Sequence, residues 1–224
     1  MISASKADEP RVVPSPWQVF CENLSETLHA AAQPLTVLQA SVTCGNFEAM
    51  SKRQLIDAAQ GSAFEVDRLC KAFGYMQQFI LTESVKPKLN PENLDVVMAE
   101  VMQGVEGLFR DAHVTLISQL PSHSQAVLID GKRSNQALSG ALLIACEMSS
   151  AHETVEVKSL GLANSVRIEI TNSNLHAARL KSDIGLRMRM AEANIRSQRG
   201  HFSYDMQPFC VQIELQNASE AHQS

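Results

Sequence analysis

The sequence has little positive charge and no long hydrophobic run. Its 224 residues hold 19 Lys and Arg against 24 Asp and Glu, a net charge of −5. A chain without a basic stripe has little to neutralise phosphates, so we expect no nucleic-acid partner. No apolar run approaches the roughly 18 residues that span a bilayer, and the first residues, MISASKADEPRVVPSP, lack the apolar centre of a signal peptide. We therefore expect a cytoplasmic protein with no membrane partner.

Cysteine is scarce and follows no ligand pattern. The cysteines are odd in number, widely spaced and set in apolar stretches, and no CxxC or HxxxH spacing offers a ligand set. We expect reduced residues of the core and no disulfide framework or metal site. They are Cys21, Cys44, Cys70, Cys146 and Cys210.

The first part of the chain has a helical period. Residues 1–14 are polar and contain two prolines, which predicts a loose tail. From residue 15 to 86, apolar residues recur at alternating spacings of four and three, typical of helices in a coiled-coil-like bundle. The letters CGN at 44–46 separate two such seams, which predicts an antiparallel helical hairpin. The seams are Leu24, Leu28, Ala31, Leu35, Leu38 and Val42, then Leu55, Ala59, Ser62, Val66, Leu69, Phe73, Met76 and Ile80.

A second apolar stripe flanks the second seam, and one hairpin cannot bury both. We favour a homodimer in which two hairpins close into a four-helix bundle. The alternative is that the extra stripe packs against the C-terminal half of the same chain. Its members are Ile56, Ala63, Cys70 and Phe79.

The period changes after the proline-containing segment 86–93, KPKLNPEN, which we interpret as a linker. Strands joined by hairpins and mixed with helices favour an α+β domain over residues 90–216, with one sheet and helices on one face. Gly200 is the predicted C′ glycine of the last helix, and 217–224 is a C-terminal tail. Helices are predicted over 93–110, 132–150 and 183–200, and strands over 114–119, 126–129, 154–160, 165–171, 201–205 and 209–215.

A proline lies inside the first helical segment, where its ring removes a hydrogen bond and clashes with the carbonyl four residues back. The run His29-Ala-Ala-Ala-Gln33-Pro34-Leu35 resembles the H-box of bacterial sensor histidine kinases, whose usual form is H-E-L-x-x-P-L. The resemblance implies that His29 is a phosphoacceptor and that Gln33 orients a water or a receiver. The bend at Pro34 would then present the histidine to a docked partner.

Later blocks resemble the same family in the same order. Residues 130–145, DGKRSNQALSGALLIA, are similar to D-x-x-R-L-x-Q-A-L-x-N-L-L-x-N-A, and 185–200 align with the glycine-rich box and its helix. Over about residues 17–215, the resemblance implies a dimeric helical hairpin followed by a sandwich like the kinase ATP-binding domain. The matching residues of the first block are Asp130, Arg133, Gln136, Ala137, Leu138 and Ala145.

Two of the family's nucleotide-binding blocks have changed. Ile144 stands where an asparagine helps hold Mg²⁺, and isoleucine has no oxygen for a hard cation. Gly140 replaces the asparagine four residues earlier. The box that usually reads D-x-G-x-G, and whose aspartate grips adenine, begins with Asn172 and continues to Asn174.

The phosphate loop has changed as well. It keeps Gly185, but Arg187 replaces its second glycine, and a Cβ there hinders close approach of backbone to phosphate. Only residues 175–184 remain for the loop that closes over ATP. Together these departures imply a degenerate domain that binds no ATP productively and needs no cofactor.

We interpret the chain as a histidine phosphotransferase of a two-component phosphorelay, passing a phosphoryl group between response-regulator aspartates through His29 without ATP. Neutral imidazole is nucleophilic, and its pKa of about 6.5 leaves much of it neutral at cell pH. The implied partners are receiver domains and a second copy of the chain. Three alternatives remain: a pseudokinase module that only binds a response regulator, a divergent ATP-dependent kinase, and a phosphatase that uses Gln33. The first is favoured by Ala30, where the family usually carries an acid.

Overall fold

The computed structural model describes residues 28, 31–42, 49–120, 125–172 and 184–218. Several predictions concern positions outside these ranges. They are the tail 1–14, Cys21, Leu24, His29, Ala30, the turn at 44–46 with Cys44, Asn174, residues 175–183 of the predicted ATP loop, and residues 219–224.

Two helices form the N-terminal part of the described chain. Residues 31–42 are helical (α1), and α2 runs over Lys52–Ser84. A capping box starts α2: the Ser51 hydroxyl accepts from the Gln54 backbone N–H at 3.4 Å, and the Gln54 side-chain oxygen accepts from the Ser51 N–H at 2.9 Å. The helix ends two residues before Lys86 because Pro87 excludes a helical conformation for the residue that precedes it.

The second apolar stripe of α2 meets two different environments. Phe79 is buried against Met190 and Ala193, which lie in the C-terminal half of the chain. Packing within the same chain, the less favoured interpretation, is therefore right for this end of the stripe. Toward the start of α2 the stripe is exposed, so the prediction of a core cysteine is wrong for Cys70. The exposed members are Ile56, Ala63 and Cys70.

The rest of the described chain forms seven strands and three helices, here called the sandwich. The α+β class predicted from the sequence is confirmed, and the predicted helices and strands are present with small shifts at their ends. In chain order the elements are β1 (Asn90–Asn93), α3 (Leu94–Asp111), β2 (Thr115–Gln119), β3 (Ala126–Ile129), α4 (Gly131–Met148), β4 (Thr154–Gly161), β5 (Ser165–Asn172), α5 (Ile184–Arg196), β6 (His201–Met206) and β7 (Phe209–Gln216).

The main sheet has the strand order β2-β4-β5-β7-β6. β2 is parallel to β4, and the other pairs are antiparallel. In β5 every second side chain is buried, so that Ile170, opposite Val157 and Val211, points into the core. These inward residues form one continuous core with the apolar faces of α3, α4 and α5. The helices therefore cover one face of the sheet.

The segment interpreted as a linker contains a strand that the sequence analysis did not predict. β1 pairs antiparallel with β3, with Asn90 opposite Ile129 and Asn93 opposite Ala126. Pro91 lacks an N–H and is compatible only with an edge position, which β1 has because β3 is its single partner in a two-stranded sheet. The predicted linker is thus right only for its first residues.

The end of α5 differs from the prediction for Gly200. The helix stops at Arg196, and Arg199, with φ 64°, takes the left-handed position expected for the glycine. The Gly200 N–H donates to the Ile195 carbonyl at 3.1 Å, and the Arg199 N–H to the Arg196 carbonyl at 3.0 Å. This is a Schellman motif with Arg199 at C′ and glycine one residue later.

Gly200 is required by space and not by its backbone angle. A Cβ there would lie 2.7 Å from Cγ2 of Ile195 and 2.8 Å from the backbone oxygen of Glu214. We expect Gly200→Ala to lower the free energy of unfolding by about 2 kcal/mol, the usual cost of overpacking, measured by urea denaturation. Gly107→Ala is the control, because a Cβ at Gly107 meets nothing within 4 Å. Equal stability of the two variants would contradict this account.

Among the described residues, no helix combines the length and the apolar character that a membrane span requires.

Candidate functional site

The described part of the H-box segment has a buried and an exposed side. Ala31 and Pro34 are buried, and Leu38 is half-buried, so these three residues share the inner face of α1. Gln33 and Leu35 are exposed. His29 and the carbonyl of residue 30, which Pro34 would free, lie outside the described residues, and so does the bend predicted at the proline. The structure therefore places Gln33 at the surface, where a partner can reach it.

Both helices carry an exposed apolar row. On α2 the side chains of Val66, Phe73 and Ile80, spaced seven residues apart, are 43 to 50% exposed. On the N-terminal segment, the side chains of Leu28, Leu35 and Val42 are also spaced seven residues apart and exposed. A seven-residue apolar repeat is the pattern by which helices pack side by side. Within one described chain these rows have no covering element.

Ile144, at the position where the resembled family holds Mg²⁺, is part of the core. Ile144 is fully buried inside α4. Its side chain supplies no oxygen and no surface to a ligand. Gly140 lies one turn earlier on the same helix, and a Cβ built there meets nothing within 4 Å. The two positions that hold asparagine in the resembled family therefore face different surroundings, one closed and one open.

Asn172, at the position where the resembled family binds adenine, belongs to a buried hydrogen-bond network. Asn172 is 1% exposed, and its amide nitrogen donates to the Ser149 hydroxyl at 2.6 Å and to a Glu153 carboxylate oxygen at 3.3 Å. The Ser149 hydroxyl donates to the Ala145 carbonyl at 2.7 Å. The same Glu153 oxygen accepts from the backbone N–H of Ser150 at 2.8 Å. The amide thus binds the chain's own groups.

The start of α5, which aligns with the phosphate loop of the resembled family, is joined to α4 by an ion pair. Arg187, in the first turn of α5, lies 2.9 Å from the Glu147 carboxylate in the last turn of α4. The Arg187 side chain is 11% exposed and that of Glu147 is 34% exposed, so the pair is partly desolvated. Gly185 is exposed, and a Cβ there meets nothing within 4 Å. The retained glycine therefore serves no close packing contact among the described residues.

Asn172 and Arg187 stand out in the sequence as departures from the resembled family. Their partners Glu147, Ser149 and Glu153 do not. Glu147 follows Ile144 by three residues on α4, so helical spacing alone placed it near the site. Ser149 and Glu153 carried no comparable signal, because their contacts with β5 depend on the sheet.

Burial, followed by the charge of Glu147, raises the pKa of the neighbouring Cys146 thiol. Cys146 is thus a protonated, inert residue, as predicted for a core cysteine.

No described set of three or more His, Cys, Asp or Glu side chains is arranged to hold a metal ion. The MgATP site that the resemblance implies would need an oxygen at position 144, a free polar side chain at position 172 and a glycine at position 187. The residues present have isoleucine at the first and internally bonded side chains at the others. They do not fit that ligand.

Several solved structures with a similar arrangement of helices and strands are histidine kinases. Histidine kinase AdeS of Acinetobacter baumannii superposes with a TM-score of 0.62 over 85% of this chain and 98% of its own, at 18% identity. Histidine kinase ThkA, in complex with the response regulator protein TrrA, has a TM-score of 0.71 over 92% of this chain, at 15% identity. This chain has the fold of histidine kinases.

The likeness extends over most of the chain but stays low in sequence. A histidine kinase from Burkholderia phymatum STM815 gives a TM-score of 0.52 over 89% of this chain and 98% of its own, at 16% identity. The match to ThkA covers 64% of that chain, so this chain spans less than two thirds of it. No family model and no curated protein sequence matches the chain.

Proposed function

We propose that the chain is a histidine phosphotransferase that carries a phosphoryl group between response-regulator aspartates on His29. One observation carries this proposal: the chain keeps the histidine kinase fold over most of its length, while the nucleotide positions are committed to its own contacts. Asn172 bonds Ser149, and Arg187 pairs with Glu147. A fold that keeps its shape without a phosphoryl donor fits a protein that takes phosphate from another protein.

The chemistry needs only one imidazole from this chain. A ring nitrogen of His29 attacks the phosphorus of an aspartyl phosphate, the bond to the carboxylate oxygen breaks, and the aspartate leaves as a carboxylate with that electron pair. The proton released by the ring passes to solvent. The reverse steps load a second receiver. Positioning and charge neutralisation do most of the work in phosphoryl transfer, and the receiver brings its own aspartate and Mg²⁺. Exposed Gln33 follows His29 by four residues in the sequence, the H-box spacing at which its amide would contact the same partner.

We further propose that the chain divides into a phosphoacceptor hairpin (15–86) and a degenerate sandwich (90–216), and that two chains form a dimer. The exposed rows on α1 and α2 support the dimer, because a second copy would cover both with identical rows. The dimer would present two His29 residues. A complex with receiver domains is supported by analogy with ThkA, whose structure holds a response regulator.

Transfer of labelled phosphate tests this function. Receiver domains from the same cell are phosphorylated with labelled phosphate, freed of donor and mixed with the chain. We expect label to appear on the wild-type chain and to stay at background with His29→Ala. His201→Ala is the matched control, because His201 is exposed on β6, far along the sequence from α1. Receiver binding without label on the wild type would contradict the proposal and favour a module that only binds regulators.

A further inference from the structure

We propose that Arg133 is a positioning residue that holds the sandwich in one orientation on the C-terminal end of α2, an arrangement here called the lock. The lock keeps the sandwich off the rest of the hairpin, which a docked receiver would contact. The first observation is an unmet need at the end of α2. The last carbonyls of a helix have no partner inside it and carry the negative end of its dipole. The last turn of α2 contains no basic residue that could satisfy them.

Arg133 supplies the missing donors from the first turn of α4. Its side chain is 10% exposed. One terminal nitrogen donates to the Thr82 carbonyl at 3.0 Å and to the Ser197 hydroxyl at 2.7 Å, and the other donates to the Val85 carbonyl. A guanidinium presents its donors in a fixed planar fork, so bonding groups from α2 and α5 at once restricts their relative orientation.

Two further contacts hold the same junction. The Thr82 hydroxyl donates to the side-chain oxygen of Asn194 at 3.1 Å in a buried position. One turn earlier on α2, Phe79 is buried against Met190 and Ala193 of α5. The junction therefore combines a buried apolar contact with directional hydrogen bonds on both sides. Such a combination specifies one arrangement, because a rotation would leave buried polar groups without partners.

Even the connecting segment is bound. The Lys88 backbone N–H donates to the Asp130 carboxylate at 2.9 Å, and that carboxylate also caps α4 by accepting from the Arg133 N–H at 3.2 Å. The Asp130 N–H donates to the Gln198 side-chain oxygen at 2.6 Å. The segment between α2 and β1 is therefore fixed to the sandwich at its middle.

The lock matters because a sandwich that is free to move would cover the hairpin and compete there with a docked receiver. The five residues between Ser84 and Asn90 span up to about 17 Å when extended, so an unlocked sandwich could sweep over the nearby turns of α2. Affinity for a partner falls in proportion to the fraction of molecules in the competent arrangement. This consequence rests on the proposed function, whereas the lock itself does not.

Hydrogen exchange tests the lock without any partner. We expect the wild-type amides of Val85 and Lys88 to be protected, and Arg133→Met to speed exchange across residues 80–90 by about tenfold or more while β5 and β7 stay unchanged. Arg110→Met is the control, because Arg110 makes one exposed ion pair with Glu106 on α3. Unchanged exchange in Arg133→Met would overturn the proposal.

Thr82→Val serves the same experiment from the other side of the junction. It removes the hydroxyl that bonds Asn194 but keeps the carbonyl that Arg133 binds. We expect faster exchange in residues 80–90 than in the wild type. If Arg133→Met does not fold, the result for Thr82→Val decides, and wild-type protection in that variant overturns the lock.

Receiver binding tests the consequence. We expect Arg133→Met to weaken receiver binding about tenfold, while the rate of phosphoryl transfer at saturating receiver is unchanged. Phe202→Leu, a change in the sandwich core that removes no contact of Arg133, is the control. The melting temperatures of both variants are measured, and Phe202→Leu should bind normally. Equal weakening by both variants, or none by Arg133→Met, would overturn the positioning role. Absence of receiver binding by the wild type would count against the proposed function, and the exchange result would still decide the lock.

Discussion

Phe73→Asp is expected to convert the dimer into monomers, weakening self-association by at least about 1,000-fold. Phe73 is 50% exposed in the centre of the α2 row. In a two-fold dimer each substitution occurs twice. Covering the exposed halves of two phenylalanine side chains contributes about 1.5–3 kcal/mol. Two buried aspartates would add a desolvation penalty of several kcal/mol, and each 1.4 kcal/mol is about tenfold in the dissociation constant. Sedimentation should report twice the chain mass of 24.5 kDa for the wild type and the single mass for the variant.

Phe64→Asp is the matched control for this experiment. Phe64 is on the same helix and more exposed, at 62%, but it lies outside the row. Phe64 precedes Val66 by two positions, which turns it about 200° around the helix from that residue. We expect Phe64→Asp to remain dimeric. A monomeric wild type, or two variants that behave alike, would refute the dimer built on this row.

Ile144→Asn is expected to lower the free energy of unfolding of the sandwich and not to create nucleotide binding. Ile144 is fully buried, so the change removes a buried aliphatic side chain and inserts an amide. The lost burial costs about 1.5–3 kcal/mol, and an unpaired buried amide adds roughly 1–3 kcal/mol. We expect a loss of about 4 kcal/mol in the free energy of unfolding, measured by denaturant titration.

Gly140→Asn is the control that restores the other asparagine of the same block. A Cβ at Gly140 meets nothing within 4 Å, and asparagine is a better helix former than glycine by a few tenths of a kcal/mol. We expect wild-type stability or slightly more. Calorimetry with MgATP should detect no binding to the wild type or to either variant. A stable Ile144→Asn variant that binds MgATP would support a divergent ATP-dependent kinase.

The sequence predicted most helices and strands because their signals are local. β5 alternates buried and half-buried side chains along its whole length, and α3 carries its buried residues on one face. β1 was missed because its four residues, NPEN, have neither strand propensity nor apolar alternation. Their strand conformation comes from pairing with β3. Gly200 was recognised as special, but its reason was misjudged, since the close atoms belong to Ile195 and Glu214.

The candidate site divides in the same way. Motif spacing identified His29, Gln33 and Pro34 as candidate site residues. The departures at positions 144, 172 and 187 could be recognised because each differs from a residue type that nucleotide binding in the resembled family requires. The contacts that these side chains make in the folded chain could not be predicted from the sequence. The partners of Asn172 lie 23 and 19 residues earlier, and helical or strand periods carry no information over that distance.

By itself, the sequence determined the α+β class, the helical heptads and the departures at positions 144, 172 and 187 from the family it resembles. These features depend on side-chain period and chemistry, which are properties of neighbouring residues. The tertiary structure alone decided that Phe79 is buried within its own chain, that Arg187 pairs with Glu147, and that Arg133 binds the end of α2. Thr82 and Asn194 are separated by 112 residues. Contacts between such distant residues arise when whole helices pack, because packing satisfies carbonyls and apolar faces that no nearby residue can reach.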